Sequence, residues 1–181
     1  NHTFPYEIVA AMGKMGLFGL PIPEEYGGMG GDHFALALAL EELGRVDQSV
    51  AITLSAGVGL GAMPIYRFGT VEQKQRWLPD LATGRALAGF GLTEPDKSRA
   101  YTTARLDGDE WVVNGAKQFI TNSGTDLTSL VSVTAMGREC GASENMEPRM
   151  ITVSIAQEST TSMTSSAKAT QSRAGSTPAS R

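Results

Sequence analysis

Near residue 86 the hydrophobic pattern changes period, and that change limits the folds open to the chain. Before it, helix formers dominate and apolar residues recur at helical spacing. After it, segments 87–93, 101–106, 110–113, 116–121 and 127–135 are short and β-like. Pro5 suits a first helical turn, Ile8, Met12 and Met15 share a face, and Gly16 and Gly19 end that helix. Residues 32–43 alternate Leu with Ala as a strand might, but Ala, Leu and Glu favour helix. Asp32 is the expected N-cap and Gly44 the expected stop of a buried helix. Helical character continues over 48–60. Thr70 with Gln73 forms a capping box opening a helix with Trp77 and Leu78 inward, interrupted at Pro79. Asp107-Gly108-Asp109 and Asn114-Gly115 are turn signals between β segments, which read as a meander. The expected fold is α+β with segregated elements: an N-terminal α-helical domain over residues 1–85, then an antiparallel, sandwich- or barrel-like β domain over 86–156.

From Gln157 to Arg181 there is no Ile, Leu, Val, Phe, Tyr or Trp, and twelve of the 25 residues are Ser or Thr. Such a stretch buries too little apolar surface to offset its ordering entropy, so a disordered tail is expected. The net charge of −4 and the absence of a dense Lys/Arg run argue against a nucleic-acid partner. One cysteine, Cys140, excludes an internal disulfide, and His2 and His33 show no metal-ligand spacing. No apolar run reads as the 18–20 residues, roughly, that a bilayer crossing needs, so no membrane span is expected. A cytoplasmic or matrix-like compartment is the default. The start, Asn1-His2-Thr3-Phe4, reads as a cut front end.

Two motifs carry chemistry. One is Gly89-Phe90-Gly91-Leu92-Thr93-Glu94-Pro95; the other is Asn114-Gly115-Ala116-Lys117-Gln118-Phe119-Ile120-Thr121-Asn122. Each offers a Thr hydroxyl at a strand end beside glycine-softened backbone and an aromatic ring, which suits a flat, hydrogen-bonding ligand. The plainer reading is that Phe90 and Phe119 are core residues of a small sheet and that Thr93 and Thr121 simply favour strands.

Together with Gly-Leu-Pro-Ile-Pro-Glu-Glu-Tyr-Gly-Gly (19–28) and Gln-Lys-Gln-Arg-Trp-Leu-Pro-Asp-Leu-Ala-Thr-Gly (73–84), these motifs resemble the acyl-CoA dehydrogenase family, in the family's order, from about residue 4 to about residue 135. The resemblance implies an FAD-dependent oxidoreductase that desaturates an acyl-CoA thioester. By the same resemblance Phe90, Leu92 and Thr93 line the pyrimidine side of the flavin, Phe119, Ile120 and Thr121 match the family's aromatic-Ile-Thr cofactor motif, Phe119 packs beside the ring, and Thr121 donates toward N5. It further implies a homotetramer and an electron-transfer flavoprotein or similar acceptor. The family's catalytic base is a Glu in a C-terminal helical bundle for which this chain has no matching residues, so no catalytic residue is assigned and an inactive fragment is expected.

The chain departs from the family at two places. After Glu94-Pro95, Asp96-Lys97-Ser98-Arg99-Ala100-Tyr101 replaces a longer loop bearing glycine, serine and aspartate; Ser98 stands in for the family serine as a doubtful substrate contact. Beyond Ala135 the resemblance fades. A frame error in the coding region is one explanation for both the 97–101 segment and the 136–181 tail. Two rival functions stand beside the dehydrogenase: a flavin monooxygenase of the same fold, and a non-catalytic module binding acyl-CoA or a partner protein.

Overall fold

The computed structural model describes residues 3–95, 102–107, 110–138, 147–154, 163–164 and 167–170. Helices α1 (Tyr6–Lys14), α2 (His33–Val46), α3 (Gln48–Ser55), α4 (Met63–Phe68) and α5 (Val71–Ala82) precede strands β1 (Leu87–Gly91), β2 (Thr103–Asp107), β3 (Glu110–Asn114), β4 (Ala116–Lys117), β5 (Thr128–Arg138), β6 (Glu147–Ser154), β7 (Met163–Thr164) and β8 (Ala167–Thr170). Helices first and strands second is the expected order.

Local chemistry sets the helix ends. Asp32 accepts a hydrogen bond from the Ala35 N–H at 2.9 Å, and Thr70 and Gln73 close their capping box. Asp47 starts α3 by accepting from the N–H groups of Ser49 and Val50. Gly44 does not stop α2, which runs on to Val46. Pro79 does not interrupt α5; burial of Leu78, Leu81 and Ala82 holds the turn around it. In α1 the buried face is Val9 and Met12, while Ile8 and Met15 are exposed. Of α2 only Leu36 is buried, with Phe34 and Leu38 exposed, so this helix is not enclosed as its composition suggested.

Between α3 and α4 the residues Ala56–Ala62 form a π-helical segment that lies on β1. The whole helical run Gln48–Phe68 is long and apolar enough, by length and composition, to cross a membrane, which corrects the expectation that no segment is. Within this protein 61% of its apolar window is buried. Leu54, Val58 and Met63 pack with Val9, Phe18 and Leu87 in one core cluster. Ala62 and Ile65 join Leu78, Leu81, Ala88 and Leu130 in a second. Strand β1 therefore belongs to the core of the helices as much as to the sheet.

The main sheet is mixed, which corrects the antiparallel expectation. β1 runs parallel to the Thr128–Val133 part of β5, and β2 parallel to Met136–Arg138. The two strands follow one another along one edge of β5, and β6 lies antiparallel on the other edge. Only the β2–β3 hairpin was readable from a turn signal; parallel pairing joins segments far apart in sequence and leaves no local mark. Nor does the chain turn back at Asn114-Gly115. Gly115 has φ +158°, and a Cβ there would meet Thr102; β4 leaves β3 and pairs with β7 in a separate two-stranded sheet. Among the described residues the main sheet does not close into a barrel.

Residues 163–164 and 167–170, in the tail expected to be disordered, instead form β7 and β8, the latter against β3. Backbone pairing at a sheet edge needs no apolar side chain. The remainder of 157–181 lies outside the described residues.

Candidate functional site

The two motifs come together where β1 ends and β4 begins. Gly89 and Gly91 make the approach possible. A Cβ at Gly89 would fall 3.0 Å from both Ile120 Cγ2 and the Thr121 carbonyl oxygen, and one at Gly91 would fall 3.2 Å from Lys117 Cγ. The absence of side chains on this face of β1 lets residues 117–121 lie directly against it.

Polar contacts then fix the register. The Gln118 N–H donates to the Thr93 carbonyl at 2.9 Å, and the Gln118 side-chain amide donates to the Glu94 carbonyl at 3.3 Å. Lys117 Nζ donates to the Leu92 carbonyl at 3.1 Å and to Glu94 Oε1 at 2.7 Å. The ion pair is almost wholly withdrawn from solvent, its side chains 5% and 11% exposed. Burial pushes the Glu94 carboxyl up, but Lys117 and Thr102 outweigh it and hold the group below the usual carboxylate range.

Downstream of the clasp the chain makes an unusual turn. Phe119 has φ +58° and Asn122 φ +66°, left-handed values that a bulky side chain rarely adopts. Asn122 is buried and donates through Nδ2 to the Thr53 carbonyl of α3 at 3.0 Å and to the Ala88 carbonyl of β1 at 3.4 Å. Ser123 and Thr128 add hydrogen bonds to the Ile120 and Asn122 carbonyls. The turn is thus anchored to helix and sheet at once. Its result is that Phe119 stands 81% exposed. A large aromatic held outward by a strained backbone is a feature of binding sites rather than of cores.

The structure brings the two stretches that carry the six expected residues together, with Phe90 on the face of β1 opposite Gly89 and Gly91. Phe90 is half-buried in β1, Leu92 is exposed and Thr93 half-buried just beyond its end; Ile120 is half-buried against Gly89 and Gly91, and Thr121 is exposed beside Phe119. The plainer reading of Phe119 as a core residue does not hold. Ser98 lies outside the described residues. Two buried polar atoms, Thr102 Oγ1 and Asn122 Oδ1, have no hydrogen-bond partner among the described residues. Sequence reading gave no role to Lys117, Gln118 or Asn122. The available signal was Lys117, the one charged residue of the β segment 116–121, since a buried lysine must find a partner. Among the described residues no group of three or more His, Cys, Asp or Glu could hold a metal.

Exposed ring, exposed hydroxyl and half-buried aliphatic side chains at adjoining strand ends suit a planar ligand with a polar edge. Comparison with known proteins narrows this. Residues 1–85 match the family model for the acyl-CoA dehydrogenase N-terminal domain. A probable acyl-CoA dehydrogenase of Bacillus subtilis is 49% identical over 133 residues, which is 71% of this chain and 35% of that protein. An acyl-CoA dehydrogenase from Bacillus anthracis, solved in complex with FAD, superimposes with a TM-score of 0.74 at 35% identity, over 91% of this chain and 31% of that one. A chain in a structure described as the electron transferring flavoprotein of Acidaminococcus fermentans superimposes with a TM-score of 0.74 at 36% identity, over 94% of this chain and 48% of that one. The chain thus spans about a third of the length of the curated relative it matches.

Proposed function

Since this chain belongs to the acyl-CoA dehydrogenase family, we propose that its juxtaposed 89–94 and 117–122 segments form one wall of an FAD site in a protein that desaturates an acyl-CoA thioester. The observation that carries the reading is Phe119, exposed on a left-handed backbone beside the Thr93 strand end. The B. anthracis relative, solved with FAD, supports the choice of ligand.

The residues present fit the group. Phe119 and Ile120 offer apolar surface to a ring face, Thr121 a hydroxyl to its edge, and Phe90, Leu92 and Thr93 the opposing strand end. FAD, when bound, supplies the two-electron acceptor that an α,β-desaturation requires. The protein's share is to hold that ring, keep water from its face and place the Thr121 hydroxyl near it. Removal of the α-proton needs a free carboxylate within hydrogen-bond reach of the substrate. Glu94 is the carboxylate of this motif, and it is tied to Lys117 and to the Thr102 N–H. We therefore assign none of the described residues as that base.

The same proposal divides the chain into a helical domain over 1–85 and a β domain over 86–156. It also takes a homotetramer as the assembly and an electron-transfer flavoprotein as the acceptor, the latter supported by likeness to the A. fermentans chain. The test is anaerobic mixing of the flavin-loaded, full-length protein containing this chain with a panel of acyl-CoA thioesters. Bleaching of the oxidised flavin's visible absorption band is the expected result. A flavin that reacts only with oxygen after chemical reduction, and never with a thioester, contradicts the proposal.

A further inference from the structure

Four consecutive carbonyls, Gly91 to Glu94, are each engaged by residues from elsewhere in the chain. Gly91 accepts from the Thr134 hydroxyl at 3.3 Å, and Leu92 from Lys117 Nζ at 3.1 Å. Thr93 accepts from the Gln118 N–H at 2.9 Å, and Glu94 from the Gln118 side-chain amide at 3.3 Å. At the same place a lysine and a glutamate are buried as an ion pair at 2.7 Å. Lys117 Nζ also donates to Thr134 Oγ1, and Glu94 Oε1 accepts the Thr102 N–H at 3.1 Å.

This arrangement is more than a sheet needs. Two apolar side chains of similar volume would fill the space at equal or lower cost, because a buried ion pair has to offset the desolvation of both charges. What an apolar pair would lack is the direction of its bonds. Lys117 reaches the carbonyl on one side of Thr93 and the carboxylate on the other, while Gln118 holds Thr93 itself.

Resting on the flavin-wall reading above, we infer that Lys117, Glu94 and Gln118 are positioning residues. They clamp the 91–94 strand end so that Thr93 faces the ligand at a fixed angle to Phe119 and Thr121. They touch no ligand themselves and act through the backbone they hold.

The experiment compares the full 181-residue chain with Lys117→Met, Gln118→Ala and the double variant Lys117→Met/Glu94→Met. FAD affinity is read by flavin fluorescence, stability by melting temperature, and backbone protection by hydrogen exchange of peptides covering 89–95 and 117–121. The double variant is expected to recover most of the melting temperature that Lys117→Met loses. It should still bind FAD about tenfold more weakly than the unaltered chain and exchange faster at 92–94. Recovery of affinity and protection along with stability overturns the inference and leaves the pair a structural element only. Should the lysine variants fail to fold, Gln118→Ala removes the neutral amide that holds the Glu94 carbonyl while keeping the backbone bond to Thr93, and is expected to show the same two changes in smaller measure; unchanged affinity and exchange in it overturn the clamp. If the unaltered chain takes up no FAD, the flavin-wall reading fails separately. Exchange at 92–94 then decides the clamp alone, faster exchange supporting it and unchanged exchange overturning it.

Discussion

Phe119 combines two costs, a left-handed backbone at φ +58° and a large apolar ring in water. Neither helps the folded state, so a side chain that tolerates the conformation should be more stable there. Phe119→Asn is expected to raise stability by roughly 1 kcal/mol, since a residue with a Cβ and no local hydrogen bond is strained in this region and Asn tolerates it. It should weaken FAD binding at the same time. Urea unfolding and a flavin titration on the same preparation check both halves. Glu94 makes a pH-dependent contribution of definite sign. Its folded-state pKa is depressed, so the contribution is fully present above the ordinary glutamate value of about 4.3 and fades as pH falls through the lower folded-state value. The stability gap between the unaltered chain and Glu94→Gln is therefore expected to be wide at neutral pH and to narrow below about pH 4. Denaturant melts at several pH values measure it. At neutral pH, breaking the pair with Lys117→Met should cost about 3–5 kcal/mol, because a carboxylate is left buried alone.

At the scale of elements, the site depends on two glycines of β1 lying against residues 117–121. Gly89→Ala introduces a Cβ that would fall 3.0 Å from Ile120 Cγ2 and from the Thr121 carbonyl oxygen. The expected cost is about 1–3 kcal/mol of overpacking, with the 119–122 turn displaced; urea unfolding reads the first and the near-ultraviolet circular dichroism of the aromatic residues the second. Sequence was a good guide to elements whose signals are local. Asp32 and the Thr70–Gln73 box named their helix starts, and Asp107-Gly108-Asp109 named the β2–β3 hairpin. It was a poor guide where distant contacts decide. The parallel partnership of β1 with β5 has no turn of its own, and Asn114-Gly115 reads as a hairpin although Gly115 lies close against Thr102 and β4 pairs with β7 instead. The site was half legible for the same reason. Phe90, Thr93, Phe119 and Thr121 stood out as residue types in motifs, but the clasp of Lys117 and Gln118 on carbonyls 24 and 25 residues away is a product of the fold.

For the molecule as a whole, the Ala56–Ala62 segment and α5 pack on the sheet, while α2 and α3 leave apolar side chains bare. Phe34, Leu38, Val46 and Ile52 are 69%, 48%, 90% and 44% exposed on α2 and α3. Apolar surface of this kind drives association. The chain alone is expected to self-associate as its concentration rises, and Phe34→Glu with Leu38→Lys to suppress this without lowering the melting temperature; light scattering follows the one and calorimetry the other. The account as a whole stands on two threonine-bearing strand ends serving a single ligand. Its most direct test is titration of FAD with the unaltered chain, Thr93→Val and Thr121→Val, followed by quenching of flavin fluorescence. Saturable binding that each substitution weakens is the predicted result. Absence of saturable binding, or binding indifferent to both substitutions, contradicts it.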